Sequence, residues 1–178
     1  MRLVTSLAAL ALFGAITFAQ SINYDYDTTA NFTRFRSYAW ITGTNVPDAL
    51  NHQRIVSAIS GQLAAKGLTR IDSQARPDLY VAYHASFDRD LQITGFGSGW
   101  GGYRLPGSFS GSARAEEILK GTLLVDIMDT RTQVIVWRAL AAKDIDVNAK
   151  PEERDTNINK AAAKMFKNYP PPVGKETR

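Results

Sequence analysis

Histidine and aspartate side chains are the groups in this sequence that could carry acid–base chemistry. His84 lies within the strand-like stretch Leu79–Phe87, and a nearby aspartate could make it the general base of a hydrolase. His52 lies one turn before an apolar helical stripe, which is typical of a structural histidine. The chain has no H-E-x-x-H, no G-x-S-x-G and no calcium-loop spacing. We therefore predict no catalytic residue. The alternative hypothesis is a hydrolase that uses His84 with a nearby aspartate.

Two pairs of carboxylates, Asp25/Asp27 and Asp144/Asp146, each share a face if strand spacing holds. Such pairs can bind a cation or exchange a proton, but they are also typical of a solvated strand edge with protective charges. We favour the second interpretation and expect no metal site and no cofactor. Because cysteine is absent, thiol catalysis, disulfides and Cys-based zinc sites are excluded.

The stretch 95–112, GFGSGWGGYRLPGSFSGS, interleaves glycines with aromatic residues. Its glycines satisfy G-x-G-x-x-G, but a phosphate cradle needs a helix N-terminus directly afterwards, and Pro106 with more Gly and Ser follows instead. A long loop is predicted, and such loops often carry function. Its aromatics could contact a partner, a glycan or a lipid surface, or fold over a sheet edge. The candidate binding residues are Phe96, Trp100, Tyr103, Arg104 and Phe109.

A long antiparallel hairpin is the strongest structural prediction. Two apolar runs, Gly121–Ile127 and Gln133–Ala142, flank the polar turn Asp129–Thr132. Alternating or aromatic runs predict further strands at Ile22–Asp27, Phe35–Ile41 and Leu79–Phe87. Both faces of the hairpin are partly apolar, so we expect the face away from any helices to be covered by the glycine-rich stretch or by a partner.

Two amphipathic helices complete the pattern. The first is predicted between Asp48, a possible N-cap, and Gly67, with Ile55, Val56, Ile59 and Leu63 on one stripe. The second begins at Pro151 and is stopped by the prolines at 170–172. Because each helix has one apolar face to bury, we predict an α+β fold: a two-layer sandwich with a mainly antiparallel sheet and two helices packed on one face.

Residues 1–19 have the pattern of an export signal, with Arg2, an uncharged apolar run, and small residues at Thr17 and Ala19. The alternative is an uncleaved anchor. We predict a single α+β domain over 20–172, a disordered tail over 173–178 and no transmembrane helix in the mature chain. Without a lipobox cysteine, the expected location is periplasmic or secreted. The formal charge of +4 has no basic cluster, so no nucleic-acid partner is expected.

Several short motifs, taken in order, carry a family resemblance. They are Asp25–Asp27, Phe32 and Ser37–Trp40; the helix Ile55–Leu63 with Lys66–Gly67; Pro77–Leu79 and Val81–His84; and Gly121–Leu123, Val125–Asp126, Asp129 and Val136–Arg138, with a last helix running to Tyr169–Pro171. Over Ile22–Pro172 the chain resembles the bacterial domain-of-unknown-function family 4136. The resemblance implies an exported envelope protein, often a lipoprotein, and supplies no catalytic residues. It also implies structural roles for Trp40, Trp137 and Asp126.

Together these features predict an exported bacterial envelope protein that acts as a non-enzymatic binding or structural module. Its expected partner is an envelope protein, a lipid or a cell-wall component, and a homo-oligomer is a further hypothesis. The alternative is a periplasmic hydrolase that uses His84 with a nearby aspartate.

Overall fold

The computed structural model describes residues 21–94 and 114–172, which form a six-stranded sheet and two helices. The strands are β1 (Ser21–Tyr26), β2 (Ser37–Trp40), β3 (Thr69–Arg70), β4 (Leu79–Thr94), β5 (Arg114–Asp129) and β6 (Val134–Ile145). The helices are α1 (Ala49–Ala65) and α2 (Pro151–Met165), and short 3-10 turns occupy Phe32–Arg34 and Ser73–Ala75. The α+β class predicted from the sequence is confirmed.

The sheet has the order β1-β6-β5-β4-β2-β3, with the predicted hairpin of β5 and β6 near its centre. The pairs β1–β6, β6–β5 and β5–β4 are antiparallel, whereas β2 is parallel to both β4 and β3. The sheet is thus mainly antiparallel, as predicted, with a parallel edge. The hairpin register shifts between Ile127 and Met128, and Val136 is the extra residue on the partner strand.

Both helices pack on one face of the sheet and share one core. On α1, Ile55, Ile59 and Leu63 are buried, which confirms most of the predicted stripe. Arg54 Nε donates to Asp155 Oδ1 at 2.8 Å and joins the two helices. The core also contains residues from α2 and the segment after it, namely Ala161, Ala162, Met165, Phe166 and Tyr169. Their sheet partners include Val81, Tyr83, Val125, Ile127 and Ala139. Neither described helix is long and apolar enough to cross a bilayer.

Both tryptophans named in the resemblance have structural roles. The Trp137 side chain is fully buried, and its ring stacks on Tyr24 at 5.0 Å and meets Tyr169 edge-on at 5.2 Å. Trp40 is half-buried, and its Nε1 donates to Ser60 Oγ at 3.2 Å. Trp137 thus lies in the core and Trp40 packs against it.

The second face of the sheet is only partly covered. Leu124 is half-buried and Ile135, which pairs with Met128 on this face, is 39% exposed. Val136 is 2% exposed and belongs to the core, although regular alternation with the buried Trp137 would place its side chain on this second face. Its burial coincides with the bulge, because an extra residue interrupts the alternation of side chains along β6.

Candidate functional site

The binding residues predicted from the sequence lie outside the described part of the chain. They are Phe96, Trp100, Tyr103, Arg104 and Phe109. The strands on either side are described, and they remain paired up to Thr94 and Arg114. The glycine-rich stretch thus joins two long strands at one end of the sheet, and its role as a contact surface stays a prediction.

His84 lies on the second sheet face, and its ring is fixed by the segment after β2. The backbone amide of Thr44 donates to His84 Nδ1 at 3.1 Å, and the Thr44 hydroxyl is also 3.1 Å from Nδ1. Because Nδ1 accepts, the proton of the neutral ring lies on Nε2. That Nε2 is 3.9 Å from Asp126 Oδ2, beyond hydrogen-bond distance, and the His84 side chain is 40% exposed.

Asp126 is engaged by a different residue. Arg138 lies directly opposite it on β6 and binds it with two hydrogen bonds, Nε to Oδ1 at 2.6 Å and Nη2 to Oδ2 at 2.7 Å. The hydrogen bond to Asp126 raises the pKa of Arg138 above its usual value. A carboxylate held in this way braces two strands and is poorly placed to orient a catalytic histidine. The geometry therefore does not assemble the hydrolase site.

Asp78 and Asp129 stabilise the end of the sheet at the hairpin turn. Burial alone would raise the pKa of Asp78, but hydrogen bonds from the amides of Arg36 and Ser37 and from the Ser37 hydroxyl outweigh it and lower the pKa. Asp129 is 3% exposed, accepts from the Arg131 amide at 3.0 Å and pairs with Arg34. These carboxylates are structural. Within the described residues, no three His, Asp or Glu side chains form a group that could hold a metal ion.

An apolar cavity of about 350 Å³ lies between the helices and the sheet. Its floor is the helix-facing side of the sheet, with Ala85, Phe87, Leu119, Leu123 and Ala141. Its roof comes from the two helices, with Ile55, Ile158 and Ala161. The volume lies near the lower end of the range of roughly 300–1,000 Å³ that is usual for small-molecule sites.

Small residues on the sheet explain why the layers leave space here. Ala85, Gly121 and Ala141 occupy helix-facing positions in the three strands under the cavity. A Cβ on Gly121 would lie 2.6 Å from Ile145 Cδ1, so glycine is what allows Ile145 to lie across β5 at this point. Both helices begin over the cavity, while β4 and β5 continue beyond it. The cavity is therefore at an open end of the sandwich.

The cavity wall includes exposed apolar side chains and four charged residues, the cations Lys143 and Arg154 and the carboxylates Asp144 and Asp146. Phe87 is 49% exposed, Ile145 39% and Val147 60%, although all three line the cavity. Lys143 Nζ donates to Asn157 Oδ1 at 2.8 Å. Arg154 donates to the carbonyl oxygens of Ala149 at 3.0 Å and Val147 at 2.8 Å. Both cations thus bond to neutral oxygens.

This cavity was not predicted from the sequence. A usable signal was present, because two of its floor residues, Ala141 and Gly121, are small side chains inside the apolar runs of the predicted hairpin. What could not be read was the cross-strand register that brings them together under the helix ends.

Comparison with protein families and structures identifies relatives of this architecture. A model of DUF4136, a domain of unknown function, matches residues 22–171. No curated protein matches the sequence. A DUF4136 family protein from Bacteroides thetaiotaomicron has a similar fold, with a TM-score of 0.52 at 13% identity, over 85% of this chain and 96% of that one.

Two further solved structures share the fold. A PelC dodecamer from Paraburkholderia phytofirmans gives a TM-score of 0.51 at 10% identity, over 83% of this chain and 95% of that one. A PDZ domain protein from Parabacteroides distasonis gives 0.53 at 17% identity, over 91% of this chain. The chain spans only 38% of that protein's length. At these identities, the similarity establishes the fold.

Proposed function

Because this chain belongs to the DUF4136 family, a domain of unknown function, its role must be inferred from its own site. We propose that it is an exported protein of the bacterial cell envelope that binds an apolar ligand and does not act as an enzyme. The observation that carries this proposal is the apolar cavity of about 350 Å³ at the open end of the sandwich. Its floor and roof belong to the shared core, and exposed apolar side chains surround its mouth.

The arrangement around His84 supports binding over catalysis. Neither His84 nor Asp126 lines the cavity, so the acid–base groups and the apolar site are separate. Arg138 holds Asp126, and the His84 ring is bonded to Thr44, which leaves no assembled pair of general base and orienting carboxylate at that position.

The envelope location rests on the leader pattern in residues 1–19, and the lack of a lipobox cysteine favours a free periplasmic or secreted form over a lipid-anchored one. The five candidate residues of the glycine-rich stretch stay part of the proposal as a second contact for an envelope partner. PelC forms a dodecamer, which supports the hypothesis of a homo-oligomer for this chain.

A fluorescent apolar probe tests the binding proposal directly. N-phenyl-1-naphthylamine is uncharged and becomes brighter in apolar surroundings, so the purified protein should bind it and Ala141→Phe should lose that binding. Ala142→Phe is the matched control, because the next residue on β6 points to the opposite face and does not line the cavity. Melting temperatures of both variants show whether the fold is kept.

A second pair of variants covers the case in which Ala141→Phe does not fold. Ala161→Leu fills the cavity from α2, and Ala163→Leu, on the exposed side of the same helix, is its control. Probe binding that is absent in the unchanged protein, or that is equal in the cavity variants and their controls, would overturn the proposal.

A further inference from the structure

The segment between β2 and α1 reaches the cavity at Val46, which is 9% exposed, belongs to the shared core and lines the cavity. Thr44, two residues earlier, is anchored because its carbonyl oxygen accepts from the Ala85 amide at 2.9 Å. Asp48, two residues later, caps α1. Among the described residues, the one hydrogen bond made between these two anchors joins the Val46 amide to the Tyr83 hydroxyl oxygen, at 3.4 Å.

The Tyr83 hydroxyl connects Val46 to His52. The Tyr83 side chain is 1% exposed, and its oxygen lies 2.7 Å from His52 Nδ1. Because this oxygen already accepts from Val46 and a buried hydroxyl needs an acceptor for its own proton, the hydroxyl donates to Nδ1. Burial raises the pKa of Tyr83, so the phenol keeps that proton. A relay of two hydrogen bonds therefore runs from Val46 through Tyr83 to the neutral ring of His52.

A second proton on His52 is incompatible with this relay. Imidazole is the side chain that ordinarily changes its charge between pH 8 and 5, and protonation turns Nδ1 from an acceptor into a donor. The Tyr83 hydroxyl proton then faces another donor, and among the described residues this hydroxyl has no other acceptor. A buried donor without an acceptor is costly, so the two groups separate and the hold on Val46 loosens.

The charged groups around His52 have opposite signs. Asp48 lies one turn earlier on α1, and the hydrogen bond from the Asn51 amide lowers the pKa of Asp48, so this carboxylate stays ionised at pH 5. Arg70 of β3 lines the same surface groove as His52. From β4, Tyr83 packs on the imidazole with a ring separation of 5.7 Å. Asp48 attracts a second proton and Arg70 repels it, so the hydrogen bond to Tyr83 is the contact that distinguishes the two forms of His52.

The second histidine of the chain, His84, offers a matched control. It lies on the other face of the sheet, does not line the cavity, and accepts from the Thr44 amide. The charged groups that face it are Asp126 and the Arg138 that holds Asp126. A protonated His84 can donate from Nδ1 to the Thr44 hydroxyl at 3.1 Å, while the Thr44 carbonyl keeps its backbone bond. Protonation of His84 therefore leaves this segment in place.

We propose that His52 makes the apolar site pH-dependent. The neutral ring holds Val46 against the cavity through Tyr83, and protonation releases this part of the wall and with it the ligand. This inference rests on the proposed function and adds its regulation. Binding is strong near pH 7.5 and is lost progressively as the pH falls to 5.

Titration of the purified protein with N-phenyl-1-naphthylamine at pH 7.5 and pH 5 tests the regulation, because the probe stays uncharged at both. The unchanged protein should bind the probe about fivefold more weakly at pH 5, the effect expected for one hydrogen bond. His52→Asn keeps an acceptor that cannot be protonated, so its binding should be equal at the two pH values. His84→Asn, the same change at the other histidine, should keep the pH dependence of the unchanged protein.

Two further measurements do not depend on the asparagine variant binding well. Tyr83→Phe removes the relay and should bind the probe about fivefold more weakly than the unchanged protein at pH 7.5, with little further loss at pH 5. Methyl-detected NMR of Val46 without any probe reports the wall itself. The Val46 signals should shift between pH 7.5 and pH 5 in the unchanged protein and in His84→Asn, and should stay in place in His52→Asn.

The failures of the two proposals can be told apart. If the probe binds equally at both pH values in the unchanged protein, the regulation is wrong and the apolar site stands. If His52→Asn loses affinity at pH 5 as the unchanged protein does, or if His84→Asn no longer does, the assignment to His52 is overturned. If the probe does not bind at all, the proposed function fails, and Val46 methyls that ignore pH would then overturn the relay as well.

Discussion

Asp78 shows how single carboxylates hold the sheet edge together. Its side chain accepts hydrogen bonds from the amides of Arg36 and Ser37, at 2.8 and 3.0 Å, and from the Ser37 hydroxyl at 3.0 Å. The Asp78 amide in turn donates a hydrogen bond to the Ser37 hydroxyl oxygen at 3.1 Å. These bonds join the start of β2 to the residue just before β4. They therefore position the parallel pairing of β2 with β4, the one parallel neighbour of β4 among the described strands.

Removing the Asp78 carboxylate should destabilise the protein above about pH 4. Asp78→Asn leaves the same shape without the charge, and we expect a loss of about 1–3 kcal/mol in the free energy of unfolding at pH 7. Because the folded-state pKa lies below the ordinary value of 3.8, the stabilisation is full above that value. It should shrink as the pH falls through the folded pKa.

Urea unfolding of the two proteins between pH 2.5 and 7 checks this prediction. Asp25→Asn on the edge strand β1 is the control, since among the described residues that carboxylate accepts a bond from the adjacent Tyr26 amide and from no distant strand. A difference between Asp78→Asn and the unchanged protein that does not vary with pH would show that the carboxylate charge is not what stabilises this edge.

The elements themselves were largely predictable from local chemistry. The Asp48 side chain caps α1 by accepting from the Asn51 amide at 3.0 Å, and Gly67 after the helix has a φ of +83°. Both are features that the sequence predicts because only a few residue types satisfy them. Pro151 likewise lies in the first turn of α2, where it has no amide bond to lose.

The pairing of the elements was less predictable. Alternation tells which side chains share a face, but it does not tell which strands are neighbours. The parallel placement of β2 between β4 and β3 depends on the crossover through α1, and the sequence alone left it open. The bulge that moves Val136 into the core has no local signal in an apolar run.

The candidate site divides in the same way. The family resemblance implied a structural role for Asp126, and the side chain does bond to Arg138 on the neighbouring strand. The sequence did not reveal the cavity, since that depends on three small residues from different strands, Ala85, Gly121 and Ala141, meeting under two helix ends. Phe96 and Trp100 of the glycine-rich stretch lie outside the described part of the chain, so their assignment as binding residues stays a prediction.

At the scale of the whole molecule, the two helices and the sheet form a closed core at one end and an open cavity at the other. The closed end contains the stacked rings of Tyr24, Tyr26 and Trp137 and the carboxylates of the hairpin turn. The open end contains the small floor residues and charged side chains of both signs. This division separates the part that stabilises the fold from the part that we propose to bind.

Export of the molecule is a prediction that can be checked independently of binding. When the full chain is produced in a bacterium, we expect protein from the osmotic-shock fraction to have an intact mass that starts at Gln20. Ala19→Arg should block processing, because the residue before the cleavage site must be small, whereas Gln20→Ala should not. A chain that retains Met1 and stays in the cytoplasm would contradict the location.

Methyl-detected NMR during titration with N-phenyl-1-naphthylamine shows most directly whether the cavity binds an apolar ligand, because it reports where the ligand sits. We expect chemical-shift changes at Leu123, Ile55 and Ile158, which line the cavity, and none at Leu124 and Leu140 on the opposite face. A saturating concentration of the probe that leaves the Leu123 and Ile158 methyls unmoved, or shifts Leu124 and Leu140 instead, would contradict a ligand site between the helices and the sheet.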